Sequence, residues 1–228
     1  MRSLLITLLA VAPAVASAQV TLELAPTSTV DIAMDVASVG TFDFPGIPVT
    51  GSAEFEILPD ASAPTSLRMT SGGFEVSQTE FALGAANATF LVPMGVSLDA
   101  VSDFTLSGTA PTFDVTGDIF LVADSGVAAF TLLGTPLGEI NFGASPETFT
   151  PELVDAGTLS EVTLSGNTLS QVDLRFTDTV VFSQVIGTLN VDFRIQSLNT
   201  LTFVPEPAAG AGVAGLLALA IARHRRRA

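Results

Sequence analysis

Apolar and polar residues alternate one by one along most of the chain, and this alternation constrains the fold more than any other feature of the sequence. In residues 30–36, for example, valine, isoleucine and methionine fall on one face of an extended chain and two aspartates fall on the other. Successive side chains of a β-strand point to opposite faces, so a period of two predicts strands that are buried on one side. Helical periodicity is nearly absent from residues 19–203, and the sequence therefore predicts an all-β domain.

Turn residues separate these alternating runs. An Asp-Ser-Gly sequence at residues 124–126 and a Ser-Gly-Asn sequence at residues 165–167 each lie between two runs, and Gly and Asn tolerate the positive φ angles of hairpin turns. Roughly ten short strands joined in this way favour an antiparallel β-sandwich, with a closed β-barrel as the alternative because both show the same alternation. One helical turn is predicted at residues 150–156, where a threonine cap precedes a proline.

The predicted domain is strongly acidic. It holds 22 of the 23 acidic residues of the chain and only three basic residues, Arg68, Arg175 and Arg194, which gives a net charge of −19 before the termini are counted. Nucleic acids and anionic lipid headgroups bind to basic surfaces, so the acidic surface of the domain repels them. All 16 phenylalanines also lie in this region, so an apolar core is available.

The catalytic inventory of the domain is restricted. The chain has no cysteine and no lysine, and its one histidine, His224, lies in the C-terminal tail. Thiol nucleophiles, Schiff bases, a Ser-His-Asp relay and histidine metal ligands are therefore excluded from the domain. Carboxylate chemistry remains, but the chain lacks the Trp and Tyr side chains that sugar sites usually use. We assign no catalytic residue. The alternatives to a non-enzymatic domain are a barrel that binds an apolar ligand and a carboxylate-based polysaccharide hydrolase.

Calcium is the one cofactor that the acidic residues suggest, because carboxylate oxygens are its preferred ligands. The candidate ligands are Asp99, Asp103, Asp114, Asp118 and Asp124. Neither an EF-hand loop nor a Gly-rich calcium-binding repeat is present, and solvated strand edges and turns explain the same residues more simply.

The first 18 residues have the three parts of a secretory signal peptide. Arg2 supplies a positive charge, residues 4–15 are apolar, and Ala16 and Ala18 form an A-x-A cleavage site. We therefore expect signal peptidase to cut after Ala18 and the domain of residues 19–203 to be exported.

The last 25 residues, 204–228, form a second three-part segment. Its opening motif is Val204, Pro205, Glu206 and Pro207, and its terminal basic cluster is Arg223, Arg225, Arg226 and Arg227. The two prolines favour an extended backbone, and the arginines would stay on the cytoplasmic side of a membrane. Between them, residues 208–222 are small and apolar. As a helix these residues would rise only ~23 Å, which is short against a hydrocarbon core of about 30 Å.

The order and spacing of these three parts resemble the PEP-CTERM sorting signal of Gram-negative bacteria. The resemblance covers residues 204–228 only. It implies export, transient anchoring in the inner membrane, cleavage near the motif by an exosortase, and delivery to the cell surface or an exopolysaccharide matrix. The alternative is an ordinary C-terminal membrane anchor that is never processed. On this basis we expect an exported surface or matrix protein with a structural or adhesive β-domain.

Overall fold

The computed structural model describes residues 19–76, 80–83, 86–144, 153–155, 160–176, 178–186, 188–196 and 200–206. Within these ranges the chain forms sixteen β-strands and one three-residue 3₁₀ helix, Phe142–Ala144. Every strand pairing is antiparallel. The prediction of an all-β, antiparallel fold is therefore confirmed.

The strands are, in chain order, β1 (Gln19–Leu24), β2 (Thr29–Val36), β3 (Gly40–Leu58), β4 (Ser66–Val76), β5 (Glu80–Leu83), β6 (Ala86–Ala100), β7 (Phe104–Thr109), β8 (Thr112–Thr116), β9 (Asp118–Leu132), β10 (Thr135–Asn141), β11 (Leu153–Asp155), β12 (Ser160–Ser165), β13 (Thr168–Arg175), β14 (Thr179–Ile186), β15 (Leu189–Gln196) and β16 (Thr200–Val204).

Eight of the strands close into a ring, which we call the first lobe. The hydrogen-bonded order is β3, β4, β7, β8, β12, β13, β16 and β1, and β1 pairs back with β3. An eight-stranded ring encloses a space that side chains can just fill. Phe55, Phe104 and Phe203 are fully buried, and the rings of Phe55 and Phe203 meet edge to face with centroids 5.6 Å apart. The first lobe therefore has the closed arrangement of a β-barrel, which was the alternative prediction.

The second lobe is built from two facing sheets that extend from β3 and β4. Beyond β3 lie β2, β15 and β14, and beyond β4 lie β6, β9 and β10. Phe90 and Phe130 of one sheet contact Phe193 of the other, with centroids 6.5 and 5.6 Å apart. The 3₁₀ helix places Phe142 against Phe182, at a centroid distance of 4.7 Å. This lobe has the layered arrangement of the predicted sandwich.

The two lobes share β3 and β4, which pass from one to the other. β3 is 19 residues long and pairs with β2 in the second lobe and with β1 in the first. At the crossing the two backbones approach closely. A side chain on Gly51 would collide with the carbonyl oxygen of Gly73 and with the Cα of Phe74, so a residue without a Cβ is needed there.

Two of the local predictions are wrong and one is confirmed. Residues 124–126 do not form a hairpin, because β9 continues through them and pairs with β6 on both sides of a bulge; the positive φ of Gly126 (112°) serves that bulge. Within the predicted helical turn at 150–156, the described residues Leu153–Asp155 form β11, whose backbone pairs with β9. The turn between Ser165 and Thr168 is a hairpin as expected.

Candidate functional site

The last described strand, β16, leads directly into the predicted sorting motif. β16 is one of the eight strands of the ring, and it pairs with β13 on one side and with β1 on the other. Leu201 and Phe203 point into the core and are almost completely buried. The amide of Ala25 also donates a hydrogen bond of 2.8 Å to the carbonyl of Thr202. β16 is thus an integral part of the sheet.

The chain becomes accessible immediately after this strand. Val204, the first residue of the motif, is half-buried and pairs with Glu23, whereas Pro205 and Glu206 are exposed. Proline has no amide hydrogen to donate to a neighbouring strand, which explains why the pairing of β16 ends there. Pro207, the apolar residues 208–222 and the arginines Arg223, Arg225, Arg226 and Arg227 lie outside the described residues, as do Ala16 and Ala18.

The start of β1 and the end of β16, which adjoin the predicted signal peptide and the predicted sorting signal, lie at the same end of the ring. β1 and β16 are antiparallel neighbours, so the start of β1 at Gln19 and the end of β16 at Val204 point the same way. Val204 pairs with Glu23, and Gln19 lies four residues further toward the start of β1, a distance of ~13 Å along a strand.

No family model, curated protein or solved structure matches this chain. The interpretation of the site therefore depends on its own residues.

Among the described residues, no helix is long and apolar enough to cross a membrane.

The candidate calcium ligands are spread over several strands. Asp99 lies opposite Phe120 where β6 pairs with β9, Asp118 starts β9, and Asp124 is exposed further along the same strand. In the part of the chain that the structure describes, no three Asp, Glu or His side chains come together as metal ligands. Calcium binding stays a prediction.

Asp103 forms an ion pair. The guanidinium of Arg68 donates to both oxygens of Asp103, at 2.8 and 3.0 Å, and also to Glu56 at 3.2 Å. The hydrogen bonds from Arg68 hold the pKa of the Asp103 carboxyl below its ordinary value, and the positive charge of Arg68 lowers this pKa as well. This bidentate contact occupies both carboxylate oxygens that a cation would need.

Asp114 belongs to a row of three carboxylates on the outside of the ring. It lies directly opposite Glu161 on β12, and Glu161 lies directly opposite Asp173 on β13. Like charges in directly opposed cross-strand positions destabilise a sheet. The sequence analysis did not assign this row. A register shift between Thr163 and Leu164 sets the opposition of Glu161 and Asp173 within the β12–β13 hairpin, and Asp114 comes from β8, well before that hairpin in the chain.

A second acidic surface, which the sequence analysis did not assign, covers the outer face of the second lobe. Asp35 on β2 lies opposite Asp192 on β15, and the two border an open depression of about 420 Å³ beside the turn at residues 37–39. Both carboxylates already accept hydrogen bonds, Asp35 from Thr41 and Asp192 from Asn190. Arg194 offsets part of this charge, because its Nε lies 3.9 Å from Asp35 Oδ2, and its guanidinium also donates to Asp178 at 3.1 and 3.2 Å.

The interior of the domain is occupied by apolar side chains. The buried polar residues of the described segments are Ser28, Ser160 and Thr179, and every Asp and Glu whose side chain the structure describes is at least partly exposed. Leu22, Leu67 and Val115, which face the inside of the ring, have no measurable exposure. Among the described residues, apolar side chains thus occupy the inside of the ring.

Proposed function

We propose that this protein is an exported structural or adhesive component of the cell surface or extracellular matrix, and that an exosortase-type enzyme sorts it through its C-terminal tail. The observation that carries the proposal is the exposure of Pro205 and Glu206 at the first positions beyond the sheet. An enzyme can bind this part of the motif in extended form without unfolding the domain. The signal peptide and the tail of residues 204–228 supply the export route.

The packed interior and the exposed carboxylates favour a structural role over the two alternatives. An apolar-ligand carrier needs an internal cavity, and a carboxylate hydrolase needs two acids placed together in a substrate cleft. The outer surface instead presents separate acidic rows on closed or well-paired sheets. Such a surface keeps the domain soluble and suppresses edge-to-edge aggregation at high local concentration.

The sorting step is tested by changing the motif and leaving the domain intact. The triple variant Pro205→Ala, Glu206→Ala, Pro207→Ala should remain uncleaved in the inner membrane, whereas the wild-type protein should be released. A matched triple-alanine substitution of the exposed residues Thr135, Pro136 and Glu139 on β10 should not affect release. Normal release of the motif variant would contradict the proposal.

The mass of the released protein gives a second readout. Because β16 is held on both sides and buries Leu201 and Phe203, we expect the mature chain to begin at Gln19 and to end at Val204 or later. A released form that ends before Val204 would show that the enzyme removes part of the sheet. Incubation of the released protein with a panel of polysaccharides tests the hydrolase alternative, and rapid depolymerisation would support that alternative.

A further inference from the structure

The start of β1, the end of β16 and three connections between strands lie at one end of the ring, which we call the terminal pole. It consists of Gln19, the loop 59–65, the turn 110–111, the turn 166–167 and residues 204–206. The strands of a closed antiparallel ring alternate in direction, so connections that follow β3, β7 and β12 lie at the end where β1 starts and β16 stops. The amide of Leu164, near the end of β12, also donates a hydrogen bond of 2.8 Å to the carbonyl of Pro111, which ties the turn 110–111 to β12.

We propose that the terminal pole is the surface of the domain that rests against the lipid bilayer while the tail holds the protein in the membrane. The inference depends on the proposed insertion of residues 208–222. Only residues 205–207 separate the sheet from the predicted apolar segment. The four steps from Val204 to residue 208 span at most ~14 Å when fully extended, so the pole cannot move far from the membrane.

The charge distribution of the domain fits this orientation. Asp60 is the only charged residue in the three connections of the terminal pole, and Glu206 is the only one in residues 204–206. The acidic face of the second lobe, with Asp35 and Asp192, lies at the other end of β3. An anionic lipid surface repels carboxylates within a Debye length of about 8–10 Å. The orientation therefore keeps the acidic face of the second lobe, with Asp35 and Asp192, away from the headgroups.

The length of β3 gives the approximate distance between the terminal pole and the far end of the second lobe. Leu58 ends β3 at the terminal pole, and Gly40 starts it 18 residues away in the second lobe. This is about 60 Å of extended strand at 3.3 Å per residue. Val39, in the turn before Gly40, is 43% exposed and marks the far end. A probe at the pole and a probe at Val39 should therefore have very different access to lipid.

The chain has no cysteine, so single cysteines can serve as labelling sites. Ala63→Cys and Asn167→Cys place a fluorophore on exposed connections of the terminal pole, and Val39→Cys places it at the far end. Each variant is purified from an exporting host that lacks a sorting enzyme, so that the tail is kept. It is then reconstituted into vesicles of phosphatidylethanolamine and phosphatidylglycerol, part of which carries a nitroxide quencher on the headgroup. A stop codon after Glu206 provides the tail-free control for each site.

We expect quenching at positions 63 and 167, little quenching at position 39, and loss of all quenching in the tail-free controls. Equal quenching at the three positions, or stronger quenching at position 39, would overturn the orientation while leaving the tail anchor in place. Failure of the tail-bearing protein to float with the vesicles would contradict the anchor itself. Loss of anchoring would contradict the proposed function and, with it, the orientation that depends on it. The flotation assay therefore distinguishes a wrong orientation from a failed anchor.

Discussion

Replacing Phe142 with alanine tests whether the aromatic cluster holds the two sheets of the second lobe together. Phe142 is 2% exposed, and its ring lies 4.7 Å from Phe182, 5.5 Å from Phe193 and 5.8 Å from Phe90, measured between centroids. It comes from the short 3₁₀ helix after β10 and contacts both sheets. Its loss would leave a cavity that neither sheet can close alone, because each sheet is fixed by its own hydrogen bonds.

The expected cost can be estimated from these contacts. Truncation of a buried phenylalanine to alanine costs about 3–5 kcal/mol. Three aromatic neighbours place Phe142→Ala in the upper part of that range, since each edge-to-face or stacked pair adds about 0.5–1.5 kcal/mol beyond area burial. For a domain of this size, about 4 kcal/mol corresponds to a decrease in Tm of roughly 8–16 °C.

Urea unfolding of the mature domain, followed by circular dichroism, measures this free energy of unfolding. Leu133→Ala is the matched control, because Leu133 is 79% exposed and should change stability by less than about 0.5 kcal/mol. Phe142→Leu should lie between the two. A decrease below about 1 kcal/mol for Phe142→Ala would refute the reasoning, because large-to-small changes in a packed core cost more than that.

Three further predictions concern charge. Arg68→Gln should raise the pKa of Asp103 toward its ordinary value in a carboxyl NMR titration, and the control Arg175→Gln should not. Because the pKa of Asp103 is lower in the folded state, the stability that this ion pair contributes is present above the unfolded-state pKa. It is lost as the pH falls through the folded-state pKa. Glu161→Gln should stabilise the domain by about 0.2–1 kcal/mol at low salt, since it interrupts the row of opposed carboxylates. Added sodium chloride should raise the Tm of the wild type, because it screens the net charge of the domain.

Each of these outcomes has a contradicting result. An unchanged Asp103 titration in Arg68→Gln would mean that the bidentate contact does not form in solution. Glu139 lies opposite Ala129, so an equal gain from Glu139→Gln would show that net charge matters and the row does not. A Tm that falls with salt would mean that attractive ion pairs dominate the electrostatics.

The sequence was sufficient to predict the strands but not their arrangement. The alternation in residues 30–36 indicates which side of β2 is buried, because burial on one face imposes a period of two. It carries no information on the partner of a strand, and the pairing of Leu24 with Phe203 joins residues 179 positions apart. Ring closure in one lobe and facing sheets in the other produce the same local pattern.

The local errors have a common physical cause. Gly126 has the positive φ that a turn would use, but the neighbouring strand β6 offers hydrogen bonds on both sides of it and converts the turn into a bulge. Leu153–Asp155 follow a good helix-start signal, and the edge of β9 outweighs it. At the candidate site, the exposure of Pro205 could be anticipated from its missing amide hydrogen. The opposition of Asp114, Glu161 and Asp173 could not, because a bulge inside the β12–β13 hairpin aligns Glu161 with Asp173 and a long-range pairing brings Asp114 opposite Glu161.

The position of β16 has a consequence for the timing of folding. The ring cannot close until its last strand arrives, and the contacts that close it, from β16 to β1, are among the most distant in the chain. Long-range pairings of this kind form slowly. A ring formed during passage through a translocation pore, N-terminus first, would therefore stay open until β16 has passed. The segment that follows β16 is the one predicted to stop in the membrane, so the arrival of the tail and the completion of the ring would coincide.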